Sequence, residues 1–69
     1  MSKSEIIKRI IIELLRDGTM HCIKEVSLYI RNFYMLQNTK ISKSIISQNI
    51  GYLHKHNVIE KYGRFVKLK

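Results

Sequence analysis

The chain has 69 residues, 13 Lys/Arg against 5 Asp/Glu, a net charge of +8 and a single cysteine. That is the length of one small domain, residues 1–69, which buries only roughly 60% of its unfolded surface. Lone Cys22 excludes an internal disulfide framework and reads as a reduced core thiol, with an intermolecular disulfide or a redox role as the sharper alternatives. No apolar run approaches the ~20 residues that span a bilayer, and the N-terminus lacks an apolar signal region, so a soluble intracellular chain without a membrane partner is expected.

The first helix is expected from about Ser4 to Arg16. Ser2 and Glu5 have capping-box spacing, with Ser4 as a competing N-cap. Ile7, Ile10, Ile11, Leu14 and Leu15 recur at helical spacing as a core stripe, and Ile6 and Ile12 lie to its side. Gly18 supplies the left-handed residue that ends such helices. Thr19 to His21 reads as a brief extended link with room for one strand's width of pairing.

A second helix follows from Ile23 to about Tyr34. Ile23, Val26, Ile30 and Phe33 mark its buried face, with Tyr29 and Leu36 flanking it. Tyr29, Phe33 and Tyr34 read as core or dimer contacts rather than stacking platforms. Gln37 to Lys40 is a polar turn without periodicity. Ser42 then caps a third helix whose Ile46, Ile50 and Leu53 must face the other two. Lys43, Ser44, Ser47, Gln48 and Gly51 are left on its outer face. Ile45 either packs on the second helix or stays open to solvent. Asn57 takes the αL conformation that stops the helix.

Val58–Glu60 and Phe65–Leu68 read as two strands. With Tyr62 and Gly63 as the loop, Lys61 opposes Arg64, Glu60 opposes Phe65 and Ile59 opposes Val66, leaving Lys61 and Arg64 at the tip. The fold class is therefore mainly α with a small β-hairpin (α+β).

Charge follows this division. Residues 1–25 hold five cations and four carboxylates, whereas residues 26–69 hold eight cations and only Glu60. Such an asymmetry is the footprint of a polyanion partner, borne by the C-terminal part.

The order helix, link, helix, turn, helix and two-stranded hairpin resembles the winged helix-turn-helix domain of prokaryotic and viral transcription regulators. The closest stretch is Ile41-Ser42-Lys43-Ser44-Ile45-Ile46-Ser47-Gln48-Asn49-Ile50-Gly51-Tyr52-Leu53 with Asn57-Val58-Ile59-Glu60-Lys61. It is similar to the recognition helix and first wing strand of MarR- and ArsR-like repressors, and the small stand-alone format to proteins of archaeal viruses, phages and plasmids. The segment from Phe33 to Lys40 is long for those families, and no additional dimerisation helix or effector domain accompanies it.

The resemblance implies sequence-specific binding of double-stranded DNA by a transcription regulator, repressor-like and nucleoid-associated, with no cofactor, metal or small-molecule ligand. The third helix would enter the major groove. Ser44, Ser47 and Gln48 would read base edges, Lys43 a guanine or a phosphate, and Ile45, if exposed, a thymine methyl. Lys61 and Arg64 would meet the backbone or minor groove, with Tyr62 against a sugar; Ser42 at the helix start and Lys40, Lys55 and Lys67 would add backbone attraction. One copy reads too few base pairs for an address, so a homodimer on a palindrome is expected. Ile6, Ile12, Met35 and Leu36 are apolar residues beyond the core stripes and candidate dimer contacts.

An enzyme is not expected. His54 and His56 point about 200° apart on a helix and cannot share a metal, His21 looks isolated, and no paired carboxylates, phosphate loop or nucleophile–base set is visible. The rival readings are a winged-helix protein-interaction module or adaptor, which has no use for so cationic a C-terminal part, and a non-specific nucleoid-type DNA binder.

Overall fold

The hydroxyl of Ser2 accepts the backbone N–H of Glu5 at 3.3 Å, and helix α1 runs Lys3–Leu14 in the computed structural model, which describes residues 2–69. Ser2, not Ser4, is the cap. The helix stops short of Arg16 because its last turn tightens into i→i+3 bonds, Arg16 N–H to Glu13 and Gly18 N–H to Leu15, before Gly18 turns at φ +76°. Ile7, Ile11 and Leu15 are fully buried, while Ile10 and Leu14 pack half-buried at the edge of the same core.

Strand β1 is only His21–Cys22, and helix α2 follows directly over Ile23–Met35. The buried residues of α2 are Val26, Ile30 and Tyr34. Here the expected face is corrected: Tyr34 is 5% exposed and Phe33 37%. Both α1 and α2 bury residues four apart, the rows that interdigitate when helices pack, and the row from Val26 ends on Tyr34. Leu36, expected to flank the core, is 88% exposed.

Helices α2 and α3 end by the same device. Asn38 (φ 56°) follows α2 with Thr39 N–H bonded to Tyr34 O and Asn38 N–H to Met35 O. Asn57 (φ 60°) follows α3 with Val58 N–H bonded to Leu53 O and Asn57 N–H to His54 O. Each is a Schellman closure with asparagine in the left-handed position. Between them Ile41 is buried and Ser42 caps α3 (Lys43–Lys55), its hydroxyl accepting the N–H of Ile45 at 3.4 Å. Ile46, Ile50 and Leu53 point inward as expected, and Ile45 packs half-buried against the core.

Strands β2 (Ile59–Tyr62) and β3 (Phe65–Leu68) form the hairpin, and β1 adds to the far edge of β3, giving the antiparallel order β1-β3-β2. The expected register is one loop residue off. Tyr62 opposes Phe65, Lys61 opposes Val66, Glu60 opposes Lys67 and Ile59 opposes Leu68, so the loop is Gly63-Arg64. Gly63 carries the positive φ, +59°, at the first loop position rather than the expected second, the sign pattern of a II′ turn. The structure is thus three helices with a small three-stranded antiparallel sheet. Among the described residues, no helix is long and apolar enough to cross a membrane.

Candidate nucleic-acid interface

Once Ile46, Ile50 and Leu53 commit one side of α3 to the core, periodicity leaves Lys43, Ser44, Ser47, Gln48 and Gly51 on the other, and all five are exposed. Asn49 is the polar exception on the inner side. It is buried, its amide donating to Ile45 O at 2.7 Å, so it is spent on the helix itself.

The exposed face of α3 does not stand alone. A groove of about 320 Å³ runs between it and α2, with Lys24, Ser27 and Arg31 on one bank, Lys43 and Ser47 on the other, and Ile23, Leu28 and Ile46 as apolar lining. Lys24, Ser27 or Leu28, and Arg31 follow one another at three to four residues along α2, and Lys43 and Ser47 are four apart on α3, so each bank is a single helix row. A second groove shares Arg31 and continues past Met35 to Thr39, Lys40 and Ser42. No carboxylate lines either groove. Among the described residues the ion pairs are Arg16–Glu13 at 3.1 Å and the contacts of His21 with Asp17 and Glu25, so Lys24, Arg31, Lys40 and Lys43 all keep their charge unpaired.

The hairpin tip is tied to one end of this groove. Ile23, which lines it, donates its backbone N–H to Arg64 O at 2.8 Å, which fixes the Gly63-Arg64 loop beside the start of α2. Lys61 and Tyr62 line a separate shallow recess with His54 and Glu60. The Tyr62 hydroxyl donates to Glu60 Oε2 at 2.7 Å, and that carboxylate pushes the phenol above its ordinary range. Across the hairpin Tyr62 faces Phe65, and both rings are about half exposed on the sheet's outer side.

Of the expected site residues, Lys43 and Ser47 therefore meet in one groove, Ser44 and Gln48 lie beside it on the exposed face of α3, and Lys40 and Ser42 line its continuation. Ser42's hydroxyl is occupied as the cap. Lys55 is about 18 Å further along α3 at 1.5 Å per residue, and Lys67 sits opposite Glu60, so neither joins the groove. Lys24, Ser27 and Arg31 are additions that the sequence does not announce. Their spacing is visible in it, but periodicity singles out the buried face of α2 and leaves its polar positions undistinguished.

The four candidate dimer residues are dispersed. Ile6 and Ile12 pack half-buried against the core, Met35 lines the groove with Lys40, and Leu36 projects into solvent. Cys22 is half-buried, not a core thiol, because β1 turns it to the outer side of the sheet opposite Phe65.

His21 is not isolated. Its Nε2 lies 3.1 Å from both Asp17 oxygens and 3.2 Å from Thr19 Oγ1, and its Nδ1 lies 3.4 Å from Glu25 Oε1. The hydrogen bond to Asp17 raises the imidazole pKa above its ordinary value, against partial desolvation. Asp17 is held below the usual carboxylate range, first by the Thr19 N–H and then by His21. Thr19, His21 and Glu25 stand in the order of a nucleophile, base and acid. The Thr19 hydroxyl, however, donates to Asp17 at 2.9 Å, and Nε2 faces that same carboxylate, so the ring is disposed to keep a proton rather than take one.

Compared with protein-family models, curated proteins and solved structures, the chain matches none of them.

Proposed function

We propose that the chain is a winged helix-turn-helix protein that binds double-stranded DNA in a sequence-selective way, as a homodimer on a palindromic site. The observation that carries this reading is the carboxylate-free groove between α2 and α3, whose cations Lys24, Arg31 and Lys43 adjoin the exposed Ser44, Ser47 and Gln48. In helix-turn-helix docking one helix crosses the phosphate backbone while the next lies in the major groove. Here α2 supplies Lys24 and Arg31 for phosphates. Helix α3 supplies two hydroxyls and an amide, groups that bond base edges, with Gln suited to adenine. The Gly63-Arg64 loop, held beside the start of α2, acts as the wing and brings Arg64 to the backbone. Phosphate contacts supply affinity and register, and the α3 side chains supply discrimination.

The test is selection of bound sites from a random duplex library, for the wild type and for Ser47→Ala combined with Gln48→Ala. An enriched palindrome is expected, with half-sites about one helical turn, ~34–36 Å, apart. The double variant should still bind but lose the enrichment at the central positions of each half-site, where a bidentate side-chain pair is worth about 1–3 kcal/mol per base. Retention without any enriched sequence would make the protein a non-specific nucleoid-type binder. Absence of binding at low salt would remove DNA as the partner and favour a protein-interaction module.

A further inference from the structure

Helices α1 and α2 enclose another groove, of about 530 Å³, on a face to which neither α3 nor the sheet contributes a lining residue. Its lining is apolar, Ile6, Ile10 and Leu14 from α1 with Tyr29 and Phe33 from α2, and Tyr29 is 52% exposed. Two charges border it, Arg9 and Glu13, both exposed and one helical turn apart.

We propose that a second copy of this chain occupies this groove, with the two α1 helices antiparallel across a two-fold axis. A two-fold contact must be self-complementary. Two antiparallel α1 helices whose two-fold axis passes at the level of Ile11 set Arg9 of each copy against the partner's Glu13, twice, and seat Ile10 of each between the partner's Ile10 and Leu14. The exposed rings of Tyr29 and Phe33 close over this contact from both sides.

Electrostatics selects the occupant. A chain of net charge +8 repels its own copies over most of its surface. In this groove, by contrast, one cation is matched by one carboxylate. The two grooves beside α2 that carry only cations oppose self-association and stay open. A polyanion gains nothing here, since Glu13 opposes it and the remaining lining is apolar. Glu13 already holds Arg16 at 3.1 Å, but both ends of that pair are largely exposed, so the carboxylate remains available to a second guanidinium.

This inference rests on the two-fold part of the proposed function and not on DNA, so it is tested without DNA. Sedimentation equilibrium of the full chain at low salt is expected to give twice the 8.2 kDa of one copy. Arg9→Glu alone, which gathers four carboxylates at the contact, and Glu13→Arg alone, which gathers four cations, are expected to sediment as monomers at concentrations where the wild type is dimeric. The exchanged pair, Arg9→Glu with Glu13→Arg, should recover the dimer. Both positions are exposed, and circular dichroism of each variant checks that the helices are intact. A monomeric wild type overturns the inference, as do single variants that dimerise like the wild type or an exchanged pair that stays monomeric. A monomer that still binds duplex DNA sinks this interface alone, and a dimer indifferent to DNA sinks the DNA reading alone.

Discussion

His21 is a side chain whose surroundings change its chemistry. It is 16% exposed and stands between two carboxylates, so protonation gives both ring nitrogens an acceptor. The imidazole pKa is raised in the fold, so its stabilising contribution is full below the unfolded value of about 6.5 and fades as pH rises through the higher folded value. Asp17 is lowered, so its contribution is full above about 3.9 and fades as pH falls through the lower folded value. The cluster is therefore strongest in mildly acidic solution. Thermal melts are expected to show a lower Tm at pH 8 than at pH 6 for the wild type, and a smaller difference for His21→Gln. An undiminished difference in that variant would assign the pH dependence elsewhere. The sequence does hold this cluster, as Asp17, His21 and Glu25 at steps of four. It stays hidden there because the link after Gly18 carries no periodicity that would tell which way the ring points.

At the level of elements, the stops matter as much as the stripes. Asn38 and Asn57 both hold positive φ in Schellman closures, where an L-residue with a Cβ is strained by about 1–2 kcal/mol unless it is asparagine or is replaced by glycine. Asn57→Ala is expected to destabilise the fold by about 1 kcal/mol, and Asn57→Gly to be neutral or stabilising. Denaturant midpoints at unchanged slope check this, and an alanine variant as stable as the wild type would contradict it. Capping signals are legible because they are local: Ser2, Ser42, Gly18 and Asn57 each act where their residue type indicates. Asn38 is hidden in a polar turn with no buried pattern after it. Strand β1 is legible only as a link, since two residues carry no alternation and its pairing partner lies more than forty residues on. The hairpin register depends on whether Gly63 stands first or second in the loop, which a single glycine leaves open.

For the molecule as a whole, the division of surfaces follows from where the carboxylates are. Four of the five lie in residues 5–25 and the fifth is Glu60 in the hairpin. Glu25, the one carboxylate on α2 or α3, faces His21 and not the groove, so the α2/α3 groove is lined by cations alone, while the α1/α2 groove has balanced charges. The gross asymmetry is readable from composition along the chain. The groove itself is not, because Lys24 falls on the N-terminal side of the charge boundary and meets Arg31 and Lys43 only once α2 and α3 pack. The measurement that tests the proposed function most directly is the salt dependence of binding to duplex DNA. The wild type should bind at low salt with log Kd rising linearly in log salt. Combined Lys24→Ala, Arg31→Ala and Lys43→Ala should reduce that slope by about 2.7, at about 0.9 for each phosphate no longer neutralised. Combined removal of Lys3, Arg16 and Lys55, three charges that lie outside the groove, should change it little. An equal reduction of the slope by either set would mean that net charge and not the groove governs binding, and no binding by the wild type at low salt would contradict the proposal outright.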